Sequence, residues 1–226
     1  MKRLHEVLEE RWEFKALAVM DGVIKRPQEP TQLILLLHGL NERGRRMYRK
    51  LLPYLPGDAI IIAPNGPFPL PRVKEHKIDY GYAWYFYDKF ERKYLINQDL
   101  PKSWIKEIVE LNNPLNLPVT IIGFSQGGYL APMVGKVIKN TRLVIGIGCE
   151  FRHHLVDAPL DFVMEAIHGK NDETIPATDA LNEIALLKNK NIKSGWHLID
   201  ETGHEITIGV GNKVKELVEA YGKRSL

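Results

Sequence analysis

The chain has 226 residues, with 31 Lys+Arg against 28 Asp+Glu for a net charge of +3, 44% hydrophobic and 26% charged residues, and a single cysteine, Cys149. These proportions predict an ordinary globular chain forming one domain over residues 1–226, and one thiol excludes a disulfide framework. The densely charged start, MKRLHEVLEERWEFK, has no apolar h-region, so neither a signal peptide nor an integral membrane segment is expected, and the lone thiol fits a reducing, cytoplasmic setting.

In chain order, Asp21-Gly22 lies between the apolar run 16–20 and residues 23–25, which predicts an N-terminal antiparallel hairpin. Short aliphatic runs follow at 33–37, 59–63, 119–123, 143–148, 162–167 and 195–199. They are too short for helices and nearly continuous in Val, Ile and Leu, the pattern of strands buried on both faces. Helical spacing marks 45–55, 102–111, 126–139 and 177–188, and Val214, Leu217, Val218 and Tyr221 put one apolar stripe on a closing helix. Strand alternating with amphipathic helix predicts an α/β fold with a mostly parallel central sheet and helices on both faces.

Two segments stand outside this rhythm. Arg43, Arg45, Arg46, Arg49 and Lys50 lie on a helix whose other face carries Met47, Leu51, Leu52 and Leu55. They read as a solvated face, with attraction of an anionic substrate as the alternative. Only Tyr48 is interleaved with them, so nucleic acid is not an expected partner. Residues 64–97 form a long irregular connection, opening with Pro64, Pro67, Pro69 and Pro71 and continuing with Tyr80, Tyr82, Trp84, Tyr85, Phe86 and Tyr87. Connections of this length are functional or partly folded. The rings either pack structurally or wall an apolar ligand pocket, for which Tyr82, Trp84, Phe86 and the more distant Phe151 are the candidates.

The chemistry centres on Gly123-Phe124-Ser125-Gln126-Gly127, directly after a predicted strand and before a predicted helix. A sharp strand-to-helix turn lifts a serine hydroxyl clear of the sheet, and flanking glycines leave room where a Cβ would collide with backbone. The helix N-terminus below it favours developing negative charge. On such an elbow the expected chain order is Ser, then Asp or Glu, then His. Of eight histidines, His5, His38 and His76 precede Ser125, His153 and His154 follow too soon, and His168 and His197 fall at or within strands. His204 remains, in the loop between the last strand and the last helix, where sites at the carboxyl ends of parallel strands assemble. Asp172, four residues beyond the 162–167 strand and its His168, is the best acid to orient it, with the adjacent Glu173 left open. An acyl-transfer oxyanion needs two preset donors. The Gln126 backbone N–H supplies one, and Leu40, after strand 33–37 and His38-Gly39, supplies the other.

The segments LLHGL at 36–40, AWYFYD at 83–88, GFSQGG at 123–128, HGKNDETIP at 168–176 and GHEI at 203–206 together resemble the α/β-hydrolase superfamily. Within it they are similar to the branch of small carboxylesterases, lysophospholipases and acyl-protein thioesterases. The resemblance implies an α/β-hydrolase fold without a large cap domain, Ser125, Asp172 and His204 as catalytic triad, and Leu40 and Gln126 as oxyanion donors. It also implies hydrolysis of small acyl esters or thioesters without cofactor or metal, with a homodimer left open; the alternatives are an amidase or peptidase using the same triad and a non-catalytic binding protein that keeps the fold. Two departures from the family pattern are Asn41-Glu42-Arg43 after the first segment and Phe151-Arg152-His153 near the site.

Overall fold

The computed structural model describes residues 21–74, 77–88, 90–91 and 93–222. Its centre is a seven-stranded sheet made of β1 (Gly22–Lys25), β2 (Gln32–Leu37), β3 (Ala59–Pro64), β8 (Val119–Phe124), β9 (Thr141–Ile147), β10 (Val163–Gly169) and β11 (Ser194–Ile199), in the spatial order β1-β3-β2-β8-β9-β10-β11. Every neighbouring pair is parallel except β1, which runs antiparallel to β3 with Gly22 opposite Pro64. The 16–20 half of the expected hairpin lies outside the described residues. The aliphatic runs read from the sequence are strands for the reason given by their composition: β2, β3 and β8 are buried along their whole length.

Helices cover both faces. On one, α2 (Asp99–Asn112), α3 (Gln126–Gly135) and α4 (Ala177–Asn189) pack Ile105, Val109, Leu130, Val134, Ile184 and Leu187 against Leu33, Leu35 and Leu37 and their neighbours. On the other, α1 (Gly44–Leu51) and α5 (Ile208–Tyr221) bring Met47, Leu51, Val210, Val214, Leu217 and Val218 onto Ile34, Leu36 and their neighbours. The alternation of β2 side chains between the two cores is the period of two that a strand imposes. The third helix ends at Gly135, earlier than its sequence pattern suggests. There the last turn tightens, with the Val137 N–H donating to the Val134 carbonyl at 3.1 Å, and a Cβ on Gly135 would lie 3.1 Å from Phe162 and Val144.

The 64–97 connection is not irregular throughout: it folds as two hairpins, β4 (Phe68–Lys74) with β5 (Lys77–Ala83), and β6 (Phe86–Asp88) with β7 (Lys93–Ile96). Prolines fit here because each strand of a two-stranded ribbon has one edge without ladder bonds. The excursion is tied to the loop after β2: the Asn41 N–H donates to the Tyr82 carbonyl at 2.9 Å, and the Tyr82 N–H returns a bond to the Glu42 carbonyl at 3.0 Å. Arg43 bonds the Asp79 carboxylate and the Tyr80 carbonyl, while Arg45, Arg46 and Arg49 remain exposed on α1.

Candidate active site

Parallel registry aligns the carboxyl ends of the central strands. Leu37 lies opposite Gly123, Phe124 opposite Ile147, Ile147 opposite Ile167, and Gly169 opposite Ile199. The loops that leave these strands therefore meet at one rim, and they carry Leu40, Ser125, Gly148, Asp172 and His204.

Ser125 occupies the turn between β8 and α3 with φ 48° and ψ −118°. That left-handed backbone costs a residue with a Cβ roughly 1–3 kcal/mol, so the surroundings must hold it. They do: its N–H donates to the Ile147 carbonyl at 2.8 Å, and its own carbonyl accepts from the N–H groups of Gly128 and Tyr129 at 2.8 and 3.1 Å. The glycines are required by space, since a Cβ on Gly123 would stand 2.3 Å from the Gly127 carbonyl oxygen, and one on Gly127 would stand 2.1 Å from that of Leu37.

His204 Nε2 lies 3.0 Å from Ser125 Oγ, and His204 Nδ1 lies 2.8 Å from Asp172 Oδ2. A carboxylate only accepts, so Nδ1 carries the hydrogen and Nε2 presents its lone pair to the serine hydroxyl. The Asp172 side chain has no exposed surface, and its Oδ1 accepts from the Thr174 and Ile175 N–H groups, both at 2.9 Å. Glu173, the adjacent acid, is exposed, and it is Asp172 that bonds His204. The His204 ring lies against Phe124 at 5.0 Å and over Gly148, whose φ of 56° and missing side chain leave the imidazole its place.

Among the described residues, neither the Leu40 nor the Gln126 backbone N–H has a hydrogen-bond acceptor. Both are thus available to an oxyanion. The Gln126 side chain does something the sequence did not reveal: its Oε1 accepts from the Trp84 N–H and its Nε2 donates to the Tyr85 carbonyl, each at 2.9 Å. The residue after the serine therefore anchors the aromatic excursion. His38 was also missed. Its Nδ1–H donates to the Gly39 carbonyl at 2.7 Å and its Nε2 accepts from the Gly66 N–H at 2.9 Å, while its own carbonyl receives the Trp84 indole N–H at 2.8 Å. Burial of this imidazole pushes its pKa down to about 4, against a smaller upward pull from the Gly39 carbonyl. A histidine just before the expected oxyanion donor was the only sequence signal for this brace.

The proposed pocket walls need correction. Trp84 and Phe151 are 0% and 1% exposed and belong to the core under α2 and α3, so they offer no surface to a ligand. The Trp84 ring packs tilted against His38 at 4.8 Å, and Phe151 fills the space left open by Gly146. Tyr82 and Phe86 are half-buried on the hairpins. Beyond them Arg152 lies over the rings of Tyr87 and Tyr129 at 4.6 and 5.1 Å and donates to the Tyr94 hydroxyl at 3.1 Å, which clamps the β6–β7 hairpin to α3. The nearby Glu150 carboxyl is held above its ordinary pKa, by burial first and then by Asp179 and Glu183. Burial also pushes the Cys149 thiol up, which makes it inert.

A mostly parallel sheet covered on both faces, with an elbow serine at its carboxyl rim, defines an α/β-hydrolase. The chain belongs to the phospholipase/carboxylesterase family, whose pattern matches residues 20–220, and it is accordingly a hydrolase. Its fold is similar to that of esterase PE8, at 19% identity and a TM-score of 0.69, covering 89% of this chain and 98% of that one. It is likewise similar to acyl-protein thioesterase 2 of Zea mays, at 17% identity and a TM-score of 0.69, covering 90% of this chain and 99% of that one. The carboxylesterase of Bacillus cereus matches at 16% identity and a TM-score of 0.66, covering 90% of this chain and 95% of that one. A comparison with curated proteins gives no match. Among the described residues no helix is long and apolar enough to cross a membrane.

Proposed function

We propose that the chain, acting as one domain, hydrolyses small carboxylic esters or thioesters through an acyl-enzyme on Ser125. The observation that carries this reading is the continuous relay Ser125 Oγ, His204, Asp172, with contacts of 3.0 and 2.8 Å. His204 takes the hydroxyl proton as Ser125 attacks the acyl carbon, and the N–H groups of Leu40 and Gln126 receive the oxyanion. The protonated imidazole, stabilised by Asp172, then gives its proton to the departing alcohol or thiol. Water repeats the sequence on the acyl-enzyme, regenerating Ser125 and releasing the acid. Tyr82 and Phe86, half-buried on the hairpins beside the rim, are the remaining candidates for contact with the acyl chain.

Ser125→Ala is expected to lower kcat on a p-nitrophenyl ester by about a millionfold, the scale set by other triads. A fluorophosphonate should label Ser125 of the unaltered chain and no other residue, as read by peptide mass spectrometry. Turnover retained by the alanine variant, or labelling elsewhere, refutes the proposal. A series of esters of rising chain length beside an acyl thioester then separates the substrate classes.

A further inference from the structure

A second imidazole lies behind the Asp172 carboxylate, and the relay just described makes no use of it. His168, at the end of β10, has a side chain with no exposed surface and stacks on Trp196 at 5.5 Å. Its Nε2 lies 2.8 Å from the Ile175 carbonyl oxygen and 3.4 Å from Asp172 Oδ2. A carbonyl only accepts, so Nε2 carries the hydrogen. Its Nδ1 is buried with no hydrogen-bond partner among the described residues. An unpaired buried acceptor is a cost that an apolar ring of similar shape, equally able to stack on Trp196, would avoid. What histidine supplies here and such a ring cannot is the Nε2–H.

That hydrogen is placed where it matters. Ile175 is held at both ends of its backbone, with its carbonyl receiving Nε2–H from His168 and its N–H donating to Asp172 Oδ1 at 2.9 Å. The turn from Asp172 to Ile175 thereby has a fixed shape, and the other carboxylate oxygen, Oδ2, is left aimed at His204 Nδ1 at 2.8 Å. The same Oδ2 stands 3.4 Å from His168 Nε2. We propose that His168 is a positioning residue, whose Nε2–H fixes the 172–175 turn so that Asp172 stays in line with His204. The proposal rests on the triad reading of the preceding section.

The test compares His168→Phe and His168→Leu, which fill space without a donor, with His168→Gln, whose side-chain N–H reaches toward the Nε2 position. Each full-length variant is assayed for kcat and KM on a p-nitrophenyl ester below its melting temperature, and the strongly deshielded Nδ1 proton of His204 is followed by proton NMR. The apolar variants are expected to lose about 10- to 100-fold in kcat, with KM within about twofold, because a small misplacement of a catalytic group costs on this scale. Their deshielded resonance should disappear, and His168→Gln should recover kcat to within about threefold of the unaltered chain. Apolar variants that keep kcat, a Gln variant as impaired as the apolar ones, or losses that only follow the unfolded fraction would each overturn the proposal. Asp172→Asn separates the two readings. If it is nearly inactive while His168→Phe is unaffected, only the positioning role falls; if it too is unaffected, the triad reading falls with it.

Discussion

The buried His38 makes acid stability a quantitative test of the loop that carries Leu40. In the unfolded chain this imidazole titrates near 6.5, whereas in the folded protein burial holds it at about 4. Between those values the unfolded chain binds the proton and the folded one does not, so stability falls as pH drops through this window and is unaffected by His38 well above 6.5. The two pKa values give a loss of about 2 kcal/mol between pH 7 and pH 5, approaching about 3 kcal/mol near pH 4. The structural cause is direct. A proton on Nε2 would confront the Gly66 N–H, which that nitrogen now accepts at 2.9 Å, in a site with no water-facing surface. Urea unfolding of the unaltered chain and of His38→Gln at pH 7 and pH 5 isolates the contribution, because the other histidines and carboxylates are common to both proteins. The Gln variant should show a pH-dependent loss smaller by about 2 kcal/mol, whatever its stability at pH 7. Equal losses in the two proteins, or a His38 ring-proton NMR shift that titrates near pH 6.5 in the folded state, would mean that burial does not lower the pKa of this imidazole.

Two further substitutions probe the rim. Gly148→Ala places a Cβ 3.3 Å from the His204 ring on a residue with φ 56°, and should cost about 1–2 kcal/mol in stability and about 10- to 100-fold in kcat; thermal melting and ester turnover read the two effects, and an unchanged kcat would mean that the imidazole has room to spare. Gln126→Leu keeps the backbone N–H but strands the Trp84 N–H and the Tyr85 carbonyl, so denaturant unfolding should register about 2 kcal/mol of destabilisation. Its kcat should fall by less than the 10²–10³-fold typical of a lost oxyanion donor.

The strands were legible because burial on both faces demands continuous Val, Ile and Leu, and runs such as 33–37 and 119–123 admit few other readings. Ser125 was legible because only glycine fits beside the elbow, where a Cβ at 123 or 127 would meet backbone oxygen within 2.3 Å. The aromatic stretch misled for a physical reason. Trp84 and Phe151 have the same side-chain chemistry in a core as in a pocket, and their burial depends on which distant elements close over them. The two hairpins within 64–97 were hidden by their prolines, which weigh against strands in a wide sheet but not in a two-stranded ribbon.

Local chemistry along the chain thus determined the class of fold and the elbow serine, and left Asp172 and His204 as the candidates that fit the order expected on such an elbow. Tertiary structure decided everything that depends on approach across the sheet. It set Asp172 rather than Glu173 against His204, enlisted the Gln126 side chain to hold the aromatic excursion, and put the His38 and His168 rings behind the rim as buried N–H donors. Hydrogen bonds between groups 28 to 79 residues apart leave no spacing or periodicity in a sequence. They arise only once parallel registry brings the strand ends level, because the few tenths of an ångström that separate a bond from a near miss are fixed by packing.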